Sequence, residues 1–95
     1  MRYKLDFEWD GDKDIINVIK HGVSFRRAQE AFNDSKRLIF EDIRHSTKNE
    51  TRYFCIGMIK DRICTVRFAL RGGSIRIFGA GYWRKQVKIY EKENS

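Results

Sequence analysis

RYFCIGMIKDRICTVRFALRGGSIRIFG, Arg52–Gly79, is the stretch on which the fold turns. It divides into three runs rich in β-branched and aromatic residues, Arg52–Ile59, Arg62–Leu70 and Ser74–Gly79, separated by Lys60-Asp61 and Gly72-Gly73. Glycine accepts the positive φ of a two-residue turn, so Gly72-Gly73 predicts a hairpin and the two breaks together predict an antiparallel meander. Two-residue turns fix the register, and the register assigns each side chain to a face. One face gathers Cys55, Gly57, Ile59, Cys64, Val66, Phe68, Leu70, Ile75 and Ile77, and is the expected core. On the other, Phe54 is expected opposite Arg67 and Arg67 opposite Phe78, with Arg52, Ala69 and Arg76 in the neighbouring row. Ile56, Met58 and Ile63 continue that face at its far end and need cover, either from a C-terminal helix or from a partner. Cys55 and Cys64 fall diagonally, which suits two reduced thiols better than a bridge.

Upstream, KLDFEW (Lys4–Trp9) alternates Leu5, Phe7 and Trp9 with charged residues and predicts a strand with one apolar face. Asp10 is a natural N-cap for a helix starting at Gly11, with Ile15, Ile16, Val18 and Ile19 as its apolar stripe. Lys20-His21-Gly22 ends it, with basic groups at the negative end of the helix dipole and a glycine for the left-handed turn. Ser24 caps a second short helix that places Phe25, Ala28, Ala31 and Phe32 on one side. LIFED, Leu38–Asp42, predicts a strand and IRHSTKNE a polar loop. Tyr82–Glu93 predicts a closing helix, with Trp83, Val87 and Tyr90 on one side and Arg84, Lys88 and Lys92 on the other. The expectation is a single α+β domain over residues 1–95, with no repeat and no linker.

Twenty Lys and Arg against thirteen Asp and Glu leave a net charge of +7, which attracts polyanions or acidic proteins. A hydrophobic content of 41% with 14% aromatic residues is too high for a disordered basic tail, so the chain is expected to fold. No apolar run has the length of a membrane span, and MRYKLDFEWD has no signal-peptide core, which points to a cytoplasmic protein without membrane contact. Two cysteines without a second CxxC or a His pair make a poor metal site. No Walker loop, zinc-binding helix, nucleophile elbow or dinucleotide fingerprint occurs. The expectation is a protein with no metal and no organic cofactor.

Arginines interleaved with phenylalanines on an open sheet face suit single-stranded RNA, because guanidinium groups meet phosphates while aromatic rings stack on unpaired bases. RNA cleaves when its own 2′-hydroxyl attacks the adjacent phosphate, so a protein need only orient that attack, stabilise the added negative charge and assist proton transfer. Arg52, Arg67 and Arg76 fit the second task. For proton transfer the sequence offers Lys13, His21, Glu8, Glu41 and His45, and no spacing singles one out. Ordinary readings stand beside several of these: the arginine trio as solvated cross-strand or stacking pairs, His21 as a helix-end residue, His45 as an exposed loop residue, Trp9 as part of the core, and the Arg84-Lys88-Lys92 stripe as a solvated face.

Beyond periodicity, FEWDGDK with KHGVSFRRAQEAF, then HSTKNETRYFCIG, the arginine of Asp61-Arg62 and the strand SIRIFGAG resemble the BrnT family of bacterial toxins from Phe7 to about Glu91. The resemblance implies a RelE-like toxin that cleaves RNA and halts translation. It also implies neutralisation by a BrnA-like ribbon-helix-helix antitoxin, through which the complex reaches operator DNA and represses its own operon. Trp9 and Lys13 match the family's opening motif, Glu50, Arg52 and Tyr53 its middle motif, and Arg62, Arg71 and Arg76 its strand arginines. The site expected from the resemblance and the sheet face together has Lys13, Arg52, Arg67, Arg76 and Arg84 in catalysis, with Lys13 moving the proton. Trp9, Phe54, Arg62, Arg71, Phe78 and Lys85 are expected to bind RNA. Gly11 replaces a customary Pro, a small change since both suit a helix start. Gly81 stands where the family carries an arginine. Either Arg84 or Lys85 substitutes one helical turn later, or activity is weakened or lost and the protein acts as a noncatalytic, antitoxin-binding autoregulatory module.

Overall fold

The meander forms with both hairpins, in the expected register except at one point of its last strand. In the computed structural model, which describes residues 6–95, the elements run β1 (Asp6–Trp9), α1 (Gly11–His21), α2 (Phe25–Ala28), a 3-10 helix (Gln29–Asn33), β2 (Leu38–Glu41), β3 (Arg52–Ile59), β4 (Arg62–Arg71), β5 (Ser74–Gly81) and α3 (Arg84–Glu93). One sheet is ordered β1-β5-β4-β3-β2, antiparallel except for the parallel β1–β5 pair. The architecture is a small α+β domain. Lys4 and Leu5, the start of the strand expected at Lys4–Trp9, lie outside the described residues.

Local signals act as local chemistry requires. Asp10 Oδ1 accepts from the amides of Asp12 (2.8 Å) and Lys13 (3.2 Å), and these bonds, Lys13's foremost, hold its carboxyl below the usual range. Gly22 closes α1 at φ 71°, and Ser24 Oγ accepts from the Arg27 amide at 3.0 Å. Gly72 and Gly73 turn the β4–β5 hairpin at φ 53° and 85°.

One face of the sheet carries the core. Phe25, Ala28, Ala31 and Phe32 are buried against Cys55, Ile59, Cys64, Val66, Phe68, Ile75, Ile77 and Ala80. Aromatic edges knit it together: Phe32 meets Phe7 at 5.3 Å and Phe68 at 5.1 Å between centroids, while Tyr53 stacks on Phe68. Gly57 is where the 3-10 helix touches the sheet, since a Cβ there would stand 2.2 Å from the Ala31 carbonyl oxygen. Both cysteines are buried free thiols, paired diagonally as the register requires, and burial pushes each up to about 12.

Three expectations need correction. Leu70, placed in the core by parity, is 60% exposed, because the helical layer does not reach that end of β4. The apolar stripe of α1 does not enter the core either: Ile15 and Ile19 are 61% and 78% exposed, and Ile16 and Val18 are exposed too. The residue α1 buries is Asn17, whose Nδ2 donates to the carbonyls of Val23 (2.8 Å) and Ala80 (3.0 Å) while Oδ1 accepts from the Ala80 amide (3.2 Å). Those backbone groups need partners, and satisfying them decides which side of α1 faces in. Third, the register slips between Arg67 and Phe68, so Arg67 pairs with Gly79 and Phe78 is the extra residue of a β-bulge.

At its far end the second face is covered by α3. Tyr90 is buried and donates to Asp34 Oδ2, which also accepts from the Met58 amide at 2.7 Å. Ile56 is fully enclosed beneath this helix, which thus supplies the cover the sequence left open between a helix and a partner. The other end of the face is open. Among the described residues, no helix is long and apolar enough to cross a membrane.

Candidate active site

The open end of the face carries Arg52, Phe54, Arg67, Arg71, Arg76 and Phe78, and the bulge sets their arrangement. By standing out of register, Phe78 presents its ring to its neighbours: the Arg52 guanidinium lies 3.7 Å from the ring centroid, that of Arg71 5.5 Å and the Lys13 ammonium 5.8 Å. Glu50 closes this cluster from the loop before β3, accepting from Arg71 Nε at 2.7 Å and from Arg52 Nε at 2.9 Å. The bond from Arg71, outweighing desolvation and joined by that from Arg52, holds the Glu50 carboxyl below its usual value. Arg52 and Arg71 are therefore already occupied by an aromatic face and a carboxylate. Arg76 is matched as well, with Nη1 at 3.6 Å from Glu8 on β1.

Arg67 differs from these. It is half-buried, its stem passes over Gly79, and among the described residues no carboxylate forms an ion pair with it. It stands between two clefts that share Arg67 and Trp83. The inner one, about 210 Å³, is lined also by Lys13, Asn17, Lys20, His21 and Phe78. The outer one, about 360 Å³, is lined also by His45, Phe54, Lys85 and Gln86. Lys13, Lys20, Arg67 and Lys85 thus run along one trough with Phe54, Phe78 and Trp83 among them. Cationic groups alternating with aromatic rings are suited to a single-stranded polyanion.

Trp83 organises the junction. Its indole meets the His21 ring edge-on at 5.2 Å and lies over Gly81, where a Cβ would come within 2.8 Å of the ring. Glycine at position 81 is what lets this ring lie flat on the strand end. Trp83 is also the N-cap residue of α3, and its side chain makes no capping bond to the first turn. Two cations, Arg84 and Lys85, follow in that turn, against the helix dipole. Lys85 lines the trough, whereas Arg84 is exposed and lines neither cleft.

The remaining sequence candidates are dispersed. Trp9 is half-buried, with its ring edge-on to Phe25 at 6.3 Å, and belongs to the margin of the core. Arg62 lies on the core-facing side of β4, stacked on Tyr82 at 3.5 Å, away from Arg67. The structure brings together Lys13, Arg67, Lys85, Phe54 and Phe78 in the trough, with Arg52 and Arg71 behind Phe78. Trp9, Arg62 and Arg84 are not part of it.

Sequence reasoning passed over Trp83 as a trough residue and over the setting of His45. Trp83 reads as one more apolar residue on the closing helix. His45 shows its place only through a contact with Asp42, whose Oδ2 lies 2.8 Å from His45 Nδ1. Among the described residues, no three His, Cys, Asp or Glu side chains gather as a metal-binding group. A separate cleft, about 310 Å³ between the 3-10 helix and the sheet, is lined by Phe32, Ile39, Tyr53, Phe68, Leu70, Ile75 and Arg37. Its apolar wall offers little to a phosphodiester.

A family model described as "Ribonuclease toxin, BrnT, of type II toxin-antitoxin system" matches residues 9–86, from the last residue of β1 into the first turn of α3. No curated protein matches the chain.

Proposed function

The chain belongs to the BrnT family, the ribonuclease toxins of type II toxin–antitoxin systems, and on that footing we propose that the Arg67 trough is where it binds and cleaves single-stranded RNA. The observation that carries this reading is Arg67 itself, the arginine of the open face that no carboxylate neutralises among the described residues, set between two clefts. Its guanidinium takes the scissile phosphate and stabilises the charge that builds when the 2′-oxygen attacks phosphorus. Lys13 and Lys85 take the same or flanking phosphates from the two ends, while Phe54 and Trp83 stack on bases. Arg52 and Arg71 act behind Phe78, with Glu50 holding them; Arg76 contributes a more distant positive charge. This chemistry requires no metal-activated water, because the nucleophile is the RNA's own hydroxyl, and the cleavage proposed is metal-independent.

The family supports the wider setting. Cleavage of RNA in the cytoplasm halts translation, and a BrnA-like ribbon-helix-helix antitoxin neutralises the toxin and brings the pair to operator DNA. The noncatalytic alternative rested on Gly81. Trp83's indole occupies the space above that glycine and Lys85 reaches the trough from the next turn, so the missing arginine does not leave the site without cations.

Cleavage of a defined RNA by the purified protein in EDTA tests this reading. The wild type is expected to cleave. Arg67→Ala is expected to lose on the order of a hundredfold or more in rate, whereas Arg76→Ala, which removes a charge matched by Glu8, loses less than about tenfold. Full activity of Arg67→Ala would overturn the site, and a wild type that leaves every RNA intact would return the protein to the binding role.

A further inference from the structure

We infer that Asp42 and His45 form the proton-transfer pair of this site, with His45 as the catalytic base and Asp42 as its positioning residue. The inference rests on the ribonuclease reading and adds the one function that the arginines cannot supply.

Asp42 is 5% exposed, in the loop that leaves β2. Burial of a carboxylate is costly unless it is paired. Among the described residues the one basic side chain within reach of the Asp42 carboxylate is His45, through the 2.8 Å Nδ1–Oδ2 contact; Oδ1 accepts the His45 amide at 3.3 Å. The loop is held at its root. Ser46 Oγ donates to the Asp42 carbonyl at 2.8 Å and accepts from the Arg52 amide at 2.8 Å, and the Asp42 amide donates to the Arg52 carbonyl at 2.7 Å. The backbone of Asp42 is fixed against β3, and its carboxylate holds the imidazole.

Chemistry then follows from which nitrogen is engaged. An ionised carboxylate accepts, so Nδ1 must carry the hydrogen and Nε2 is left with its lone pair. Among the described residues Nε2 has no partner. The ring is 48% exposed and lines the outer cleft with Arg67 and Lys85, the cationic groups that face it from β4 and from the first turn of α3. A histidine serving only to brace its loop would not need that position. Lysine ammonium groups are protonated at neutral pH and suit charge stabilisation, whereas imidazole both accepts and returns a proton in that range. This favours His45 over Lys13 for the proton.

The step balances without a co-reactant beyond water. Nε2 takes the proton of the 2′-hydroxyl as the bond from 2′-oxygen to phosphorus forms and the bond from phosphorus to the 5′-oxygen breaks. The 5′-oxygen leaves with a proton from water, giving a 2′,3′-cyclic phosphate and a 5′-hydroxyl, and the imidazolium releases its proton to solvent. Asp42 stabilises the imidazolium that forms in between.

Rates on a defined RNA in EDTA, measured from pH 5 to 9 for wild type, His45→Ala, His45→Gln, Asp42→Asn and Arg67→Ala, test the pair. His45→Ala should lose 10²-fold or more in kcat while binding an uncleavable 2′-deoxy version of the RNA within about threefold of wild type. The ascending limb of the wild-type pH profile should vanish in both His45 variants, and free imidazole should restore part of the His45→Ala rate. Asp42→Asn should give an intermediate loss. His45→Ala leaves the buried Asp42 carboxylate without its partner, so the denaturant midpoint of each variant is measured beside its rate, and His45→Gln, which keeps a donor for Asp42 but no base, decides the pair. Full rate in His45→Ala alongside a dead Arg67→Ala would overturn the pair and leave the ribonuclease reading standing. A wild type that does not cleave, or that Arg67→Ala matches, would overturn both.

Discussion

Asp34 shows how much of this fold hangs on single side chains. Its carboxylate accepts from the Met58 amide, the Lys36 amide and the Tyr90 hydroxyl, joining the end of the 3-10 helix to β3 and α3. Desolvation by itself would raise its pKa, but the bonds from Tyr90 and the two amides outweigh it and hold the carboxyl below 3.8. Burial, then the bond to Asp34, pushes Tyr90 up to about 12. The two shifts have opposite consequences for stability. Asp34's contribution is present above its unfolded value near 3.8 and is lost as pH falls through the lower folded value. Tyr90's is present below its unfolded value near 10 and is lost as pH rises through about 12. Tyr90→Phe should therefore cost about 1–2 kcal/mol at pH 7 and flatten the loss of stability between pH 10 and 12. Urea unfolding across pH measures both; an unchanged alkaline limb would separate Tyr90 from it.

At the scale of elements, α1 inverts the usual arrangement. Its isoleucines face solvent and its asparagine faces the sheet, because β5 and the α1–α2 turn present carbonyls and an amide that only a side chain carrying both donor and acceptor can satisfy. Asn17→Ala should cost about 2–4 kcal/mol, the desolvation of those groups left unpaired. Ile15→Gln with Ile19→Gln should cost less than about 1 kcal/mol in total, since neither side chain is withdrawn from water. Denaturant midpoints of the two variants decide it, and a large loss in the isoleucine pair would mean that α1 packs by its apolar stripe after all. Gly57 marks the opposite case, an element contact so close that only a residue without Cβ allows it.

For the whole molecule, the net charge of +7 sets a long-range attraction for polyanions, and on the function proposed above the trough is where that charge meets RNA. Phosphate contacts by Lys13, Lys20, Arg67 and Lys85 predict a slope of log K against log salt of about −3 for a single strand, at roughly −0.7 per contact. Lys85→Ala should make it shallower by about 0.7, while Arg84→Ala should leave it unchanged because Arg84 lines neither cleft. Binding of an uncleavable single strand over a range of salt measures the slope. Equal losses in both variants would mean that net charge, rather than the trough, governs binding.

The sequence by itself determined the elements and most of the sheet. Asp10, Gly22, Ser24 and the Gly72-Gly73 turn act over four residues or fewer, and two-residue hairpins transmit the register along β3, β4 and the first half of β5. The same short-range signals placed Arg52, Phe54 and Arg67 on one face. Tertiary structure alone decided which of those cations are left to act. The bulge at Phe78 broke the register, Glu50 came to Arg71 from 21 residues away, and Asn17 reached Ala80 across 63. Asp42 and His45 are only three residues apart, yet nothing in their spacing shows that one is buried and the other lines a cleft with Arg67 from β4 and Lys85 from α3. Periodicity records which face a side chain takes; pairing, burial and the neighbours across a cleft depend on chain segments that meet only on folding.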